Sequence, residues 1–251
     1  MRILISNDDG IDALGLAELE SAARLLSDDV WIVAPDSNRS GFAHGITLRK
    51  GFDITKLAPG RYVCSGTPAD CVIGAMSWVF RDATLPDMVL SGINEGRNVA
   101  EDVSYSGTMA VAREAALRGI PGIALSRPRD GQRLDVAGNR WLAERIEAFW
   151  QSRAEWARDG HWLSVNLPRQ VPAHMRMARI GRDKVANRVI IHRETEDHAV
   201  IEPLADRSYA STPGDENHLI DSGIASVICF NWMGQAEVPS STLKEMAAEP
   251  A

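Results

Sequence analysis

"ILISNDDG", residues 3–10, carries a short apolar run straight into two adjacent carboxylates, Asp8 and Asp9, followed by a glycine. An uninterrupted apolar run of this length, bounded by a turn signal, reads as a strand buried on both faces, the habit of a parallel sheet. Working outward, "ALGLAELESAARLL" (13–26) places Leu14, Leu19, Ala22, Ala23 and Leu26 at helical spacing, and "VWIVAPD" (30–36) is a second apolar run. Strand, helix and strand in that order predict a βαβ unit.

The alternation continues. Residues 46–65, broken at Gly51 and Pro59-Gly60, predict a short antiparallel excursion. A helix is expected over 67–80, with Thr67 as its cap and Pro68 in its first turn. Strands follow at 87–91, 121–126 and 162–168. Helices are expected at 106–119 and 133–152, the latter with Val136, Trp141, Leu142, Ile146, Phe149 and Trp150 near one face. The whole predicts an α/β fold, a parallel sheet with helices on both sides. Beyond Pro168 the pattern changes to extended segments with hairpin-like turns (176–204), a polar stretch (205–218) and an apolar run (223–232) that could return to the core as a strand.

The 251 residues are 45% apolar and 24% charged, ordinary for a soluble globule, with disorder expected only at "TLKEMAAEPA" (242–251). A net charge of -7 argues against bulk nucleic acid or an anionic membrane as the main partner. No apolar run approaches ~18 residues, so no membrane-spanning helix is expected. Cys64, Cys71 and Cys229 form an odd set without a CxxC pair, and no leader-like apolar segment is seen. The expectation is a cytoplasmic protein whose cysteines are reduced, small buried hydrophobes. The Trp residues at 141, 150, 156 and 162 read as core or interface anchors.

In an open parallel sheet every strand ends at the same edge, where ligands bind. Three polar segments follow three of the strands: "NDDG" (7–10), "PDSNRSG" (35–41) and "SGINEGRN" (91–98). Together they bring Asp8, Asp9, Ser40 and Asn94, with Asn7, Asn38 and Asn98 nearby. An all-oxygen set suits a hard cation such as Mg²⁺ or Mn²⁺ rather than zinc. A divalent ion also cancels the repulsion between neighbouring carboxylates. "YSGT" (105–108) opens a helix, where free N–H groups attract anions; Ser106 and Thr108 add hydroxyls, and Gly107 permits close backbone approach. Beside a metal, this points to phosphate. No G-x-G-x-x-G follows the first strand, so a dinucleotide cofactor is poorly supported.

These residues resemble the SurE family of survival-protein nucleotidases. The stretches that carry the resemblance are "MRILISNDDG", "VAPDSNRSG", "SGTPADCV", "SGINEGRNVAEDVSYSGTMAVAREAALRGIP" and, more weakly, "SVNLP", in order over about two-thirds of the chain. The resemblance implies a Rossmann-like core and an extended hairpin arm used to assemble a homodimer or homotetramer. It also implies one divalent metal per subunit on Asp8, Asp9, Ser40 and Asn94, and a phosphate-contacting segment at Ser106, Gly107 and Thr108 with Asn98 close by. The activity implied is hydrolysis of nucleoside 5'- and 3'-monophosphates, sometimes with action on short polyphosphate. The expected division is a catalytic core at 1–168, an arm at 169–215, and a return segment and tail at 216–251. The chain departs from the family's pattern in having "IDALG" after "DDG", Phe42 and His44 after "RSG", and a different C-terminal third.

The chemistry expected is attack on a phosphomonoester by a metal-activated water, with Asp8, Asp9 and Asn98 as the catalytic set and Asp9 also orienting the water. Asp102 and His44 are candidate proton donors to the leaving oxygen. An aspartyl-phosphate route fits poorly, because position 10, two residues after Asp8, is glycine. The non-catalytic alternative is a mononucleotide-binding or sensing module on the same fold.

Overall fold

The computed structural model describes residues 1–158, 160–182, 189–203 and 209–232. The tail at 242–251 lies outside them, as do parts of the expected arm and polar stretch. Six parallel strands form the centre: β1 (Ile3–Ser6), β2 (Val30–Pro35), β4 (Arg61–Cys64), β5 (Met88–Glu95), β6 (Gly122–Arg127) and β7 (His161–Asn166). β3 (Ile54–Ala58) turns at Pro59-Gly60 to pair antiparallel with β4, the predicted excursion. β8 (Met175–Met177), the hairpin β9 (Val189–Glu194) and β10 (Ala199–Pro203), and β11 (Ala225–Asn231) complete the strands among the described residues.

The main sheet runs β3-β4-β2-β1-β5-β6-β7-β11-β8. The chain winds outward from β1 through β2 to β4, then recrosses and winds the other way from β5. The loops leaving β1 and β5 therefore diverge, and a crevice opens where the winding reverses. β1 is buried on both faces because Ile3 and Ile5 point to one core and Leu4 to the other. On the first side lie α1 (Leu14–Arg24) and α4 (Val136–Gln151); on the second lie α2 (Pro68–Gly74) and α3 (Gly107–Leu117). α2 starts as predicted, with a reciprocal cap between Thr67 and Asp70 and with Pro68 in its first turn, and a π turn (Ala75–Val79) carries it to Phe80.

Two helical assignments need correction. Leu14 and Val136, expected on core faces, are exposed. Each stands five residues before the next position assigned to the same pattern, Leu19 and Trp141, which is about 140° round a helix rather than on the same face. Beyond Pro168 the hairpin β9–β10 forms as expected. The polar stretch ends in a helix the pattern did not predict, α6 (Glu216–Asp221), capped by Asp215, whose carboxylate accepts from the His218 amide. A four-residue helix, α5 (Arg153–Trp156), follows α4. β11 returns to the core, antiparallel to β7 and parallel to β8. Trp141 and Trp162 are buried, Trp150 and Trp156 pack against the core, and the three cysteines are free.

Candidate active site

The loop after β1 is folded by Asn7, whose amide donates to the Gly10 carbonyl (2.9 Å) and whose Oδ1 accepts from the Gly10 amide (3.2 Å). That closed turn drives Asp8 inward, where it is 3% exposed. Thr108, fully buried at the start of α3, donates its hydroxyl to Asp8 Oδ1 at 2.6 Å. Gly107 makes this approach possible: a Cβ there would stand 2.6 Å from the Asp8 Cβ and 3.0 Å from its Oδ2. Burial, and after it the charge of Asp9, pushes the Asp8 carboxyl up to about 6, against the pull of Thr108 and of backbone amides at Asp8 and Thr108.

Asp9 lies more open. The Glu95 amide donates to its Oδ2 at 3.4 Å and the Asn38 amide to its Oδ1 at 3.5 Å. Burial raises its carboxyl, and the Glu95 carboxylate adds to this, while the Glu95 amide, Arg129 and Arg127 pull it down. Ser40 sits exposed in a turn closed by its own amide donating to Asn38 Oδ1 (2.8 Å). The neighbouring Arg39 amide donates to the Asp8 carbonyl (2.7 Å), which ties this turn to the β1 loop. Asn94 commits its amide nitrogen to the Gly96 carbonyl (2.9 Å), a bond that does not use its side-chain oxygen. Two carboxylates, an amide oxygen and a hydroxyl on adjoining loops, with a desolvated acid at the centre, fit a hard divalent cation. Among the described residues no group of three or more His, Cys, Asp and Glu comes together to hold a metal ion, so a ligand set here draws on the Ser40 hydroxyl and the Asn94 amide oxygen beside the two carboxylates.

Asn98 is buried behind Thr108. Its amide nitrogen donates to Ser126 Oγ (2.9 Å) and, at 3.4 Å, to Thr108 Oγ1. Asn166 clamps its main chain in both directions, accepting from the Asn98 amide and donating to its carbonyl at 3.0 Å. Asn98 therefore reaches Asp8 through Thr108. Ser106 is the cap of α3, accepting from the Met109 amide at 3.1 Å. Asp102 lies in the 3₁₀ turn Ala100–Ser104 that precedes this cap, where its carbonyl accepts from the Ser106 amide. His44 has both ring nitrogens engaged: Arg113 Nε donates to its Nδ1 at 2.7 Å, and its Nε2 meets Glu114 at 2.8 Å. It serves as a tie between its loop and α3.

Several contributors were not foreseen. Arg127 and Arg129, in "SRPRD" at the end of β6, place positive charge beside Asp9; a basic pair leaving a strand at the functional edge was the available signal. Asn166 and Ser126 had no such signal. From the C-terminal third, Glu216 accepts from the buried Ala100 amide (2.7 Å). Arg97 pairs with Asp221 and donates to the Tyr209 hydroxyl at 2.6 Å. These bonds brace the loop from Asn94 to Ala100.

The profile of the family described as Survival protein SurE matches residues 3–187. Among curated proteins, one named 5'-nucleotidase SurE from Azorhizobium caulinodans is 39% identical over 233 residues, 90% of this chain and 91% of its own. One of the same name from Paramagnetospirillum magneticum is 36% identical over 239 residues, 92% and 90% of the two chains. Among solved structures, the SurE protein of Aquifex aeolicus superposes with a TM-score of 0.78 at 27% identity, covering 98% of this chain and 99% of that one.

Proposed function

The chain belongs to the survival protein SurE family, and on that premise we propose that it is a 5'-nucleotidase. The reaction is hydrolysis of nucleoside 5'-monophosphates, and of 3'-monophosphates, to nucleoside and phosphate. The relatives' shared name supports the reaction class. The observation that carries it in this chain is the buried Asp8, held by the Thr108 hydroxyl, beside Asp9 in the crevice between β1 and β5 and against the start of α3. One divalent cation per subunit, Mg²⁺ or Mn²⁺, would be held by Asp8, Asp9, Ser40 and Asn94, and when bound it supplies charge to a phosphate oxygen and acidifies a water.

The rest is the work of the chain. Thr108 fixes the rotamer of Asp8, and Asn98 fixes Thr108, so that the buried carboxylate is preorganised. Ser106, Gly107 and Thr108 present the positive end of α3 to the phosphate, and the absence of a side chain at Gly107 keeps the approach open. Arg127 and Arg129 offset charge on the side of Asp9. Asp9, the more open carboxylate, orients the attacking water.

Residues 1–168 form the catalytic core in this reading, 169–215 the arm and 216–251 the return segment. The arm's hairpin β9–β10 exposes Val189, Ile190, Ile191 and Ile201, surface suited to a second copy of the chain in a homodimer or homotetramer. No helix is long and apolar enough to cross a membrane among the described residues, and three free thiols suit the cytoplasm.

The test is phosphate release from AMP by the purified protein with Mn²⁺, Mg²⁺ or EDTA, beside Asp9→Asn. Metal-dependent release lost in the folded variant is the expected result. AMP binding without release under any metal would replace the enzyme with a sensing module.

A further inference from the structure

The loop after β2 carries an exposed aromatic ring, Phe42, on a span fastened to two segments of the site. Residues 39–43 are fastened at both ends, the Arg39 amide to the Asp8 carbonyl (2.7 Å) and the Ala43 amide to the Tyr105 carbonyl (3.1 Å). The span thus bridges the carboxylate loop and the residue before the Ser106 cap. Between those anchors the chain reverses, with Gly41 at φ 81° and Ala43 at φ 53°, and Phe42 stands between them, 49% exposed. The ring is braced as well as exposed. The Arg39 guanidinium lies 5.8 Å from its centroid and is itself held by Asp36 (2.8 Å) and the Ser65 carbonyl (3.1 Å).

An exposed apolar side chain alone carries no meaning. This ring is two residues from Ser40, on a segment pinned to both halves of the site, and a cation backs it. A phosphate ester seated between Asp8 and the start of α3 would lie beside both anchors of this loop, the Asp8 and Tyr105 carbonyls.

We propose that Phe42 is the stacking surface for the nucleobase of the substrate, and that it sets the preference for nucleotides over base-free phosphate esters. The inference rests on the nucleotidase reading above. Stacking on a ring tolerates any base, because every base has a π-face, so Phe42 favours nucleotides as a class with little choice among bases.

The experiment measures kcat/KM for AMP and for ribose 5-phosphate with the wild type, Phe42→Ala and Phe42→Tyr, in Mn²⁺. The ratio of AMP to ribose 5-phosphate falls roughly tenfold in Phe42→Ala, through KM for AMP, and returns in Phe42→Tyr. An unchanged ratio, or an equal loss on both substrates, overturns the proposal. Should Phe42→Ala fail to fold, Phe42→Leu keeps the apolar bulk without the aromatic face and carries the same comparison. A wild-type protein that hydrolyses ribose 5-phosphate but never AMP overturns the nucleotidase reading and this inference with it.

Discussion

Burial works against a charge on Asp8. Its carboxyl moves from 3.8 to about 6 on folding, chiefly through burial. The sign follows from linkage: a raised folded value helps stability at low pH, and that help is lost as pH rises through 6. In the metal-free protein Asp8→Asn is therefore expected to raise stability at pH 8 by on the order of 2 kcal/mol, while abolishing phosphate release. Thermal melting in EDTA, paired with the release assay, checks both halves; a variant that melts lower contradicts the account. Asp8, Asp9, Ser40 and Asn94 were legible as candidates because each lies just after or at the end of a strand, so topology alone brings them to one edge. The role of Thr108 as the partner of Asp8, and of Asn166 behind Asn98, was not legible. Those bonds join residues 100 and 68 positions apart, and pairing at that range leaves no local pattern.

At the scale of elements, most of the βαβ series could be read because apolar runs and caps are local signals. The misplaced Leu14 and Val136 show the limit of counting apolar residues without their angles. The helix α6 was hidden in a polar stretch because, beyond its local Asp215 cap, its side chains pair with residues 116 and 124 positions away, Glu216 with Ala100 and Asp221 with Arg97. Glu216→Ala leaves the Ala100 amide buried without an acceptor. It is expected to cost about 1–3 kcal/mol and to lower kcat/KM by loosening the loop that carries Asn94, whereas Glu216→Gln keeps the acceptor and most of both. Denaturation and AMP turnover of the two variants test this. The loop bearing Phe42 is tied to α3 through His44 and Glu114. Burial would raise the Glu114 carboxyl, but His44 and Arg118 outweigh it and hold it below its usual value. That stabilisation is present above about pH 4.5 and is lost as pH falls below it. Glu114→Gln should flatten the acid side of the stability–pH curve, and a curve of unchanged slope would contradict the tie.

At the scale of the molecule, a sheet whose winding reverses at β1 and β5 explains why loops distant in sequence meet in one crevice, and why the C-terminal third can brace it from the β7 side. The hairpin β9–β10 belongs to no such layer. Ile191 and Ile201 are cross-strand neighbours, both exposed. If the hairpin joins copies of the chain as proposed, changing both to Glu lowers the mass seen by light scattering to that of a smaller assembly without unfolding the core; an unchanged mass contradicts an interface at the hairpin. The central claim is that one divalent cation sits at the reversal point on four oxygen ligands. The most direct measurement is anomalous scattering from crystals grown with Mn²⁺. The account predicts a single strong peak per subunit within bonding distance of Asp8, Asp9, Ser40 and Asn94, absent in Asp9→Asn crystals. A peak elsewhere, or none in crystals of protein that releases phosphate in Mn²⁺, would contradict it.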